Sequence, residues 1–140
     1  MRTKTLLLFV FLLTGMAFSQ QGGTGRITFD NVKWLLTSPS ENSMWATLTR
    51  WGYTRINATE FMKGSEIFKI IPEADGTGYY YAEGNASSAR REEMRAQAIK
   101  AGLKETENYD DGRVILMEGD GFSVSIKRGP GIMIRKLKKQ

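Results

Sequence analysis

The chain has 140 residues, no cysteine, no histidine and a formal net charge of +5. Disulfides, Ser-His-Asp or Cys-His catalysis and zinc sites built on His or Cys are thereby excluded. Enzymatic chemistry would fall to carboxylates, lysine, tyrosine or hydroxyls, and stability to packing.

Arg2 and Lys4 precede an apolar run over residues 6–13, and Ala17 and Ser19 place small side chains before Gln20. This layout predicts a secretory signal peptide over residues 1–19, cut between Ser19 and Gln20. The polar stretch beginning at Ser19 arrives before the ~20 apolar residues that a membrane span needs. The expected address is the periplasm or the cell exterior, with the membrane involved only through the cleaved segment. Cleavage removes two of the 20 basic residues and none of the 15 acidic ones, leaving +3. Residues 20–25 read as a flexible, glycine-rich leader, and residues 26–140 as a single α+β domain.

Within that domain, residues 26–29 alternate like a short strand, and Asp30 is positioned to cap one or two helical turns burying Val32, Leu35 and Leu36, which pair with the next helix. Ser38-Pro39-Ser40-Glu41 reads as a capping box, with Ser38 as cap and Pro39 in the first turn. Met44, Leu48 and Trp51 then line one helical face, and Gly52 stops the helix. A strand is expected over residues 53–58, a turn over 62–65, and strands over 66–71 and 79–82.

The segment over residues 37–53 recurs 50 positions on: Ser38 meets Ser88, Met44 meets Met94, Ala46 meets Ala96, Arg50 meets Lys100 and Gly52 meets Gly102. The second helix starts at Ser87 or Ser88. Strands follow over residues 103–109, 113–117 and 122–126, with an extra one over 131–137. Glu73-Ala74-Asp75-Gly76 and Glu118-Gly119-Asp120-Gly121 take matching places. The expectation is tandem helix-plus-antiparallel-meander units, two copies of about 50 residues in halves 26–84 and 85–140. Their helices pack on one face of an antiparallel sheet.

The acidic Asp-Gly segments suit hairpin turns better than calcium loops, since further oxygens at alternating positions are missing. No metal and no cofactor is expected. Asp110, Asp111, Glu118 and Asp120 are candidates for paired carboxylates of the glycosidase type. In a strand Tyr80 points away from Tyr79 and Tyr81, so Tyr80, with Trp45 at the edge of its helical stripe, is a candidate ligand-binding ring. Arg135, Lys136 and Lys138 belong to a basic C-terminal group suited to an anionic partner. The asparagines of Asn57-Ala58-Thr59 and Asn85-Ala86-Ser87 match glycosylation sequons, which matter only in a cell with that machinery.

The order of elements, and no motif, resembles the β-lactamase inhibitor protein layout; members of that family use disulfides, which this chain cannot form. The functional expectation is an exported, non-catalytic binding or adaptor module whose partner is a protein or an anionic envelope polymer, not a nucleic acid. The alternative is a carboxylate-based hydrolase acting on envelope glycans.

Overall fold

The computed structural model describes residues 25–109, 113–129 and 131–138. The expected signal peptide, most of the leader, Asp110-Asp111-Gly112 and Lys139 lie outside the described residues. The described chain is an α+β fold: three helices packed against an eight-stranded antiparallel sheet. The helices are α1 (Phe29–Leu36), α2 (Glu41–Arg50) and α3 (Ser88–Lys100). The strands are β1 (Thr54–Arg55), β2 (Glu60–Lys63), β3 (Glu66–Pro72), β4 (Tyr79–Glu83), β5 (Lys104–Tyr109), β6 (Val114–Gly119), β7 (Phe122–Lys127) and β8 (Gly131–Lys136). Their spatial order is β1-β2-β3-β4-β8-β7-β6-β5, so the chain's last strand enters the middle of the sheet beside β4. No helix among the described residues is long and apolar enough to cross a membrane.

Strand register assigns each side chain to a face. Phe61 pairs with Phe68, Ile70 with Tyr81, Tyr81 with Ile134, Ile134 with Val124 and Val124 with Met117. All of these are buried and form the helix-covered face. Each fully buried aliphatic side chain of that layer contributes about 1.5–3 kcal/mol. The central helix is α1, which touches α2, α3, β4 and β8 and buries Phe29, Val32, Leu35 and Leu36. Met44 and Leu48 of α2 and Met94 and Ala98 of α3 complete the layer, each pair four residues apart on one helical face.

Several boundaries differ from expectation for local reasons. Residues 26–28 form no strand; the Ile27 amide donates to Glu66 Oε1 (2.8 Å) and its carbonyl accepts from Arg90 Nη2 (2.8 Å). Side chains thus take the bonds that a neighbouring strand would have made. The cap of α1 is Thr28 rather than Asp30, and the cap of α2 is Ser40 rather than Ser38. Ser40 has the extended backbone a cap requires and accepts from the Ser43 amide, which leaves Pro39 outside the helix. Glu41 then receives the Trp45 indole N–H one turn on (3.1 Å) instead of closing a capping box. The strand expected over residues 53–58 pairs only at Thr54 and Arg55. Asn57 Oδ1 accepts from the amides of Thr59 and Glu60, turning the chain into β2, a strand the sequence reading missed.

The 50-residue correspondence holds at the ends of α2 and α3. The amides of Tyr53 and Leu103 both donate five residues back at 3.0 Å, across Gly52 (φ 92°) and Gly102 (φ 101°). Each helix is then followed by four antiparallel strands, β1–β4 and β5–β8, but the details differ. β1 has two residues whereas β5 has six. The turn over residues 73–76 joins β3 to β4, but that over 118–121 joins β6 to β7, so the two do not occupy equivalent places. A two-copy plan is not established by these elements.

Side chains from three parts of the chain meet between helices and sheet. Glu83 Oε1 accepts from Arg90 Nη2 (2.9 Å) and Tyr81 OH (2.6 Å), while Oε2 accepts from Arg90 Nε (3.0 Å) and Arg26 Nη1 (3.2 Å). Glu66 Oε2 accepts from Tyr53 OH (2.8 Å). Glu83 and Arg90 are each 1% exposed. Burial first, then the Glu83 charge, holds the Tyr81 phenol protonated well above its ordinary range. Burial works against the Arg90 charge, but the Glu83 hydrogen bond and the charges of its neighbours outweigh it and raise its pKa.

Breaking such a pair from one side leaves a charge buried without its partner, at roughly 3–5 kcal/mol. Glu83→Gln and Arg90→Met are each expected to lower stability by about that amount in urea denaturation, and the double variant to cost less than their sum. Additive losses would mean that the two groups are not coupled. Gly131 carries a second constraint, since a Cβ there would lie 2.0 Å from the Glu83 carbonyl oxygen at a φ of +101°. Gly131→Ala is expected to cost roughly 2–4 kcal/mol by the same measurement; an unchanged midpoint would refute the close approach of β8 to β4.

Candidate functional site

The face of the sheet opposite the helices has no cover among the described residues. Register places three rows of side chains on it. One row runs Glu60, Lys69, Ala82, Met133, Ser125, Leu116 and Glu107 across all strands but β1. A second joins Ile71 to Tyr80 and Ser123 to Arg135, and the latter row continues to Glu118 and Lys104. At the flanks stand Met62 beside Ile67, and Val114 beside Tyr109. Ile67 is 44% exposed and Tyr109 50%. Small residues in the middle (Ala82, Ser123 and Ser125) leave the backbone there shallowly covered between longer side chains. The charges on this face carry both signs.

Tyr80 lies on this uncovered face, as the alternation of β4 requires, while Tyr81 is fully buried on the other. The Arg135 guanidinium sits 4.3 Å from the Tyr80 ring centroid. Its Nε is also 3.1 Å from Glu73 Oε1. A planar guanidinium held over a ring on one side and by a carboxylate on another is fixed in orientation. Tyr80 and Arg135 therefore form one unit that neither residue type announces alone.

The other expected site residues fall elsewhere. Trp45 is half-buried at the edge of α2, 5.0 Å from the Phe61 ring and 6.0 Å from Tyr79, with Arg55 over its indole at 4.6 Å. It is a wall of the aromatic core, not an open platform. Lys136 pairs in register with Phe122, so it leaves the sheet on the helix side, away from Arg135. Lys136 and Lys138 line a cleft of about 450 Å³ with Glu73, Thr77, Tyr79 and Leu137. Lys138 is ion-paired with Asp75, whose other oxygen accepts from the Thr77 amide (3.1 Å). These contacts, the Lys138 hydrogen bond foremost, hold the Asp75 carboxyl well below the usual carboxylate range and raise Lys138. Two members of the C-terminal basic group, Arg135 and Lys138, are therefore met by carboxylates between β3 and β4.

The expected carboxylate pair diverges where it can be followed. Glu118 stands in register with Lys104 and Ser123 on the uncovered face. Asp120 Oδ2 instead accepts from Lys33 Nζ of α1 at 2.6 Å on the helix side. Among the described residues no group of three potential metal ligands comes together.

Glu66, Glu83 and Arg90 were not singled out in the sequence, yet periodicity marks all three. Glu66 is in phase with Phe68 and Ile70, Glu83 with Tyr81, and Arg90 with Met94 and Ala98. A charged residue at an apolar phase position is the available signal.

The Asp75–Lys138 pair supplies a pH prediction. A depressed Asp75 pKa stabilises the fold at pH values above the unfolded carboxylate value of about 3.9, and this contribution fades as acid protonates the folded group. The raised Lys138 pKa adds stability below about pH 10.4 that is lost at higher pH. Asp75→Asn should therefore be less stable than the parent at neutral pH, with the gap closing in acid and narrowing in high salt. A gap in denaturation midpoint that is constant down to about pH 2 would exclude the pair as its cause.

No protein-family model, curated protein or solved structure matches this chain.

Proposed function

We propose that this chain is a non-catalytic binding module, exported through its first 19 residues, that docks a protein partner on the uncovered face of its sheet. The observation that carries this reading is the asymmetry of the sheet. All three helices cover one face, while the other displays Met62, Ile67, Ile71, Tyr80, Leu116, Val114 and Tyr109 to solvent or partly so. An apolar face of this extent, rimmed by charged residues, is the composition of a protein-recognition surface. Glu60, Glu107 and Glu118 alternate with Lys69, Lys104 and Arg135 across it. Such mixed sign favours another protein over a uniformly anionic polymer. Tyr80 backed by Arg135 supplies the residue types that most often anchor an interface.

The test is affinity capture from an envelope extract by the exported form, with variants on both sides of the sheet. Tyr80→Ala and Ile67→Asp should reduce capture of the specific partner about tenfold or more. Trp34→Ala, which removes an exposed ring on α1 at 62% exposure, should leave capture unchanged. Equal loss in all three variants, or none in any, would remove the uncovered face from consideration.

A further inference from the structure

A second basic group assembles on the helix-covered side, from residues that are distant in the sequence. Arg113 and Arg128 are opposed across the β6–β7 hairpin, with the Arg128 amide donating to the Arg113 carbonyl at 2.9 Å. Both are in phase with Ile115 and Ile126, a register pair buried on the helix side. Arg91 and Arg95, one turn apart on α3, face the same place. Together with Ser88 and Glu92 these four arginines line a cavity of about 90 Å³.

The arrangement opposes ordinary stabilising rules twice. Like charges directly opposed on neighbouring strands destabilise a sheet, and like charges four apart destabilise a helix. Here both pairs are turned toward one another. Two of the four guanidiniums have fold contacts. Arg91 donates to the Ala86 carbonyl, and Arg95 is ion-paired with Glu105 and lies 3.8 Å from Glu92. Neither Arg113 nor Arg128 has an ion pair among the described residues. The first turn of α3 also carries no acid, so its free amides add positive potential at the same spot.

We propose that this cavity binds a tetrahedral oxyanion, a phosphate or sulfate group, by forked hydrogen bonds from Arg113 and Arg128 with Arg91 and the Ser88 hydroxyl. The forked, planar guanidinium matches two oxygens of such a group, and two forks from opposed strands can grip it from both sides. The cavity holds about three waters' worth of space. That is the size of one such group, not of a nucleotide, so the remainder of any larger ligand lies outside. This site is on the other side of the sheet from the protein-docking face, and either can fail without the other.

The probes are inorganic phosphate and sulfate, titrated against the purified protein at constant ionic strength made up with chloride, with thermal denaturation as the readout. Saturable stabilisation by both anions, absent with chloride alone, is the expected result. In Arg113→Gln/Arg128→Gln the half-saturating concentration should rise about tenfold or more. Circular dichroism checks that this exposed pair can be replaced without unfolding. Arg128→Lys, which keeps the charge and loses the fork, should weaken binding by an intermediate factor. Vesicles separate the sources: sedimentation with phosphatidylglycerol but not phosphatidylcholine, reversed by phosphate, identifies a lipid headgroup. A phosphate response without sedimentation identifies a soluble or polymer-borne group. A shift that follows ionic strength alone, or one that survives in the double Gln variant, would overturn the site.

Discussion

The Glu83–Arg90 pair is the constraint on which the arrangement of this chain depends. Glu83 is the last residue of β4, the strand that joins the first half of the sheet to β8, and Arg90 lies in the first turns of α3. Between them they fix where the second half begins relative to the first. Arg90 also holds the Ile27 carbonyl and Glu66 holds the Ile27 amide, so the entering segment is tied to β3 and α3 before α1 starts. Two charges removed from water at one place define a single alternative, because almost any shift of α3 along the sheet leaves one unpaired. A purely apolar layer would tolerate sliding more readily. In a chain without disulfides this polar knot supplies geometric definition that packing alone gives less sharply.

With the entering segment and α1 held there, all the helices are committed to one side of the sheet. The opposite side is then free to carry apolar side chains that the fold itself does not bury. The two sides consequently have different tasks. One is packed, with rings such as Trp45 and Phe61 in contact; the other presents Tyr80 and Arg135 in a fixed pose. The four-arginine cavity is built at the border of the packed side, where the β6–β7 hairpin outruns the apolar layer and meets the start of α3.

Much of the architecture was legible because its signals are local. Helix stops at Gly52 and Gly102, the cap at Ser87 and the alternation of Tyr79, Tyr80 and Tyr81 each follow from backbone chemistry within a few residues. β2 was not legible: Glu60, Phe61, Met62 and Lys63 have little strand character, and their conformation follows from the turn that Asn57 imposes and from pairing with Phe68 and Ile67. α1 was legible as one or two turns burying Val32, Leu35 and Leu36, but its central place was not, because that is decided by tertiary contacts. The side of the sheet that Tyr80 takes follows from phase, whereas the edge position of Trp45 on its apolar stripe does not reveal that Arg55 and Phe61 pack against it. The buried polar group escaped because charge is ordinarily read as exposure, although Glu66, Glu83 and Arg90 keep the period of their apolar neighbours.

Charge shows most clearly why position in the chain misleads. The C-terminal lysines and arginines form the densest basic run of the sequence, and by that count the basic surface belongs there. Folding brings Glu73 to Arg135 and Asp75 to Lys138, so two cations of the run are answered by a turn some 60 residues earlier. Arg91, Arg95, Arg113 and Arg128 do not stand out as one group, because they lie in three separate segments of the sequence. Yet the hairpin and the helix place them around one small cavity with fewer carboxylates than guanidiniums. A field depends on what is left after near neighbours have paired. That remainder is set by the register of β6 with β7 and the pitch of α3, and no count along the chain contains it.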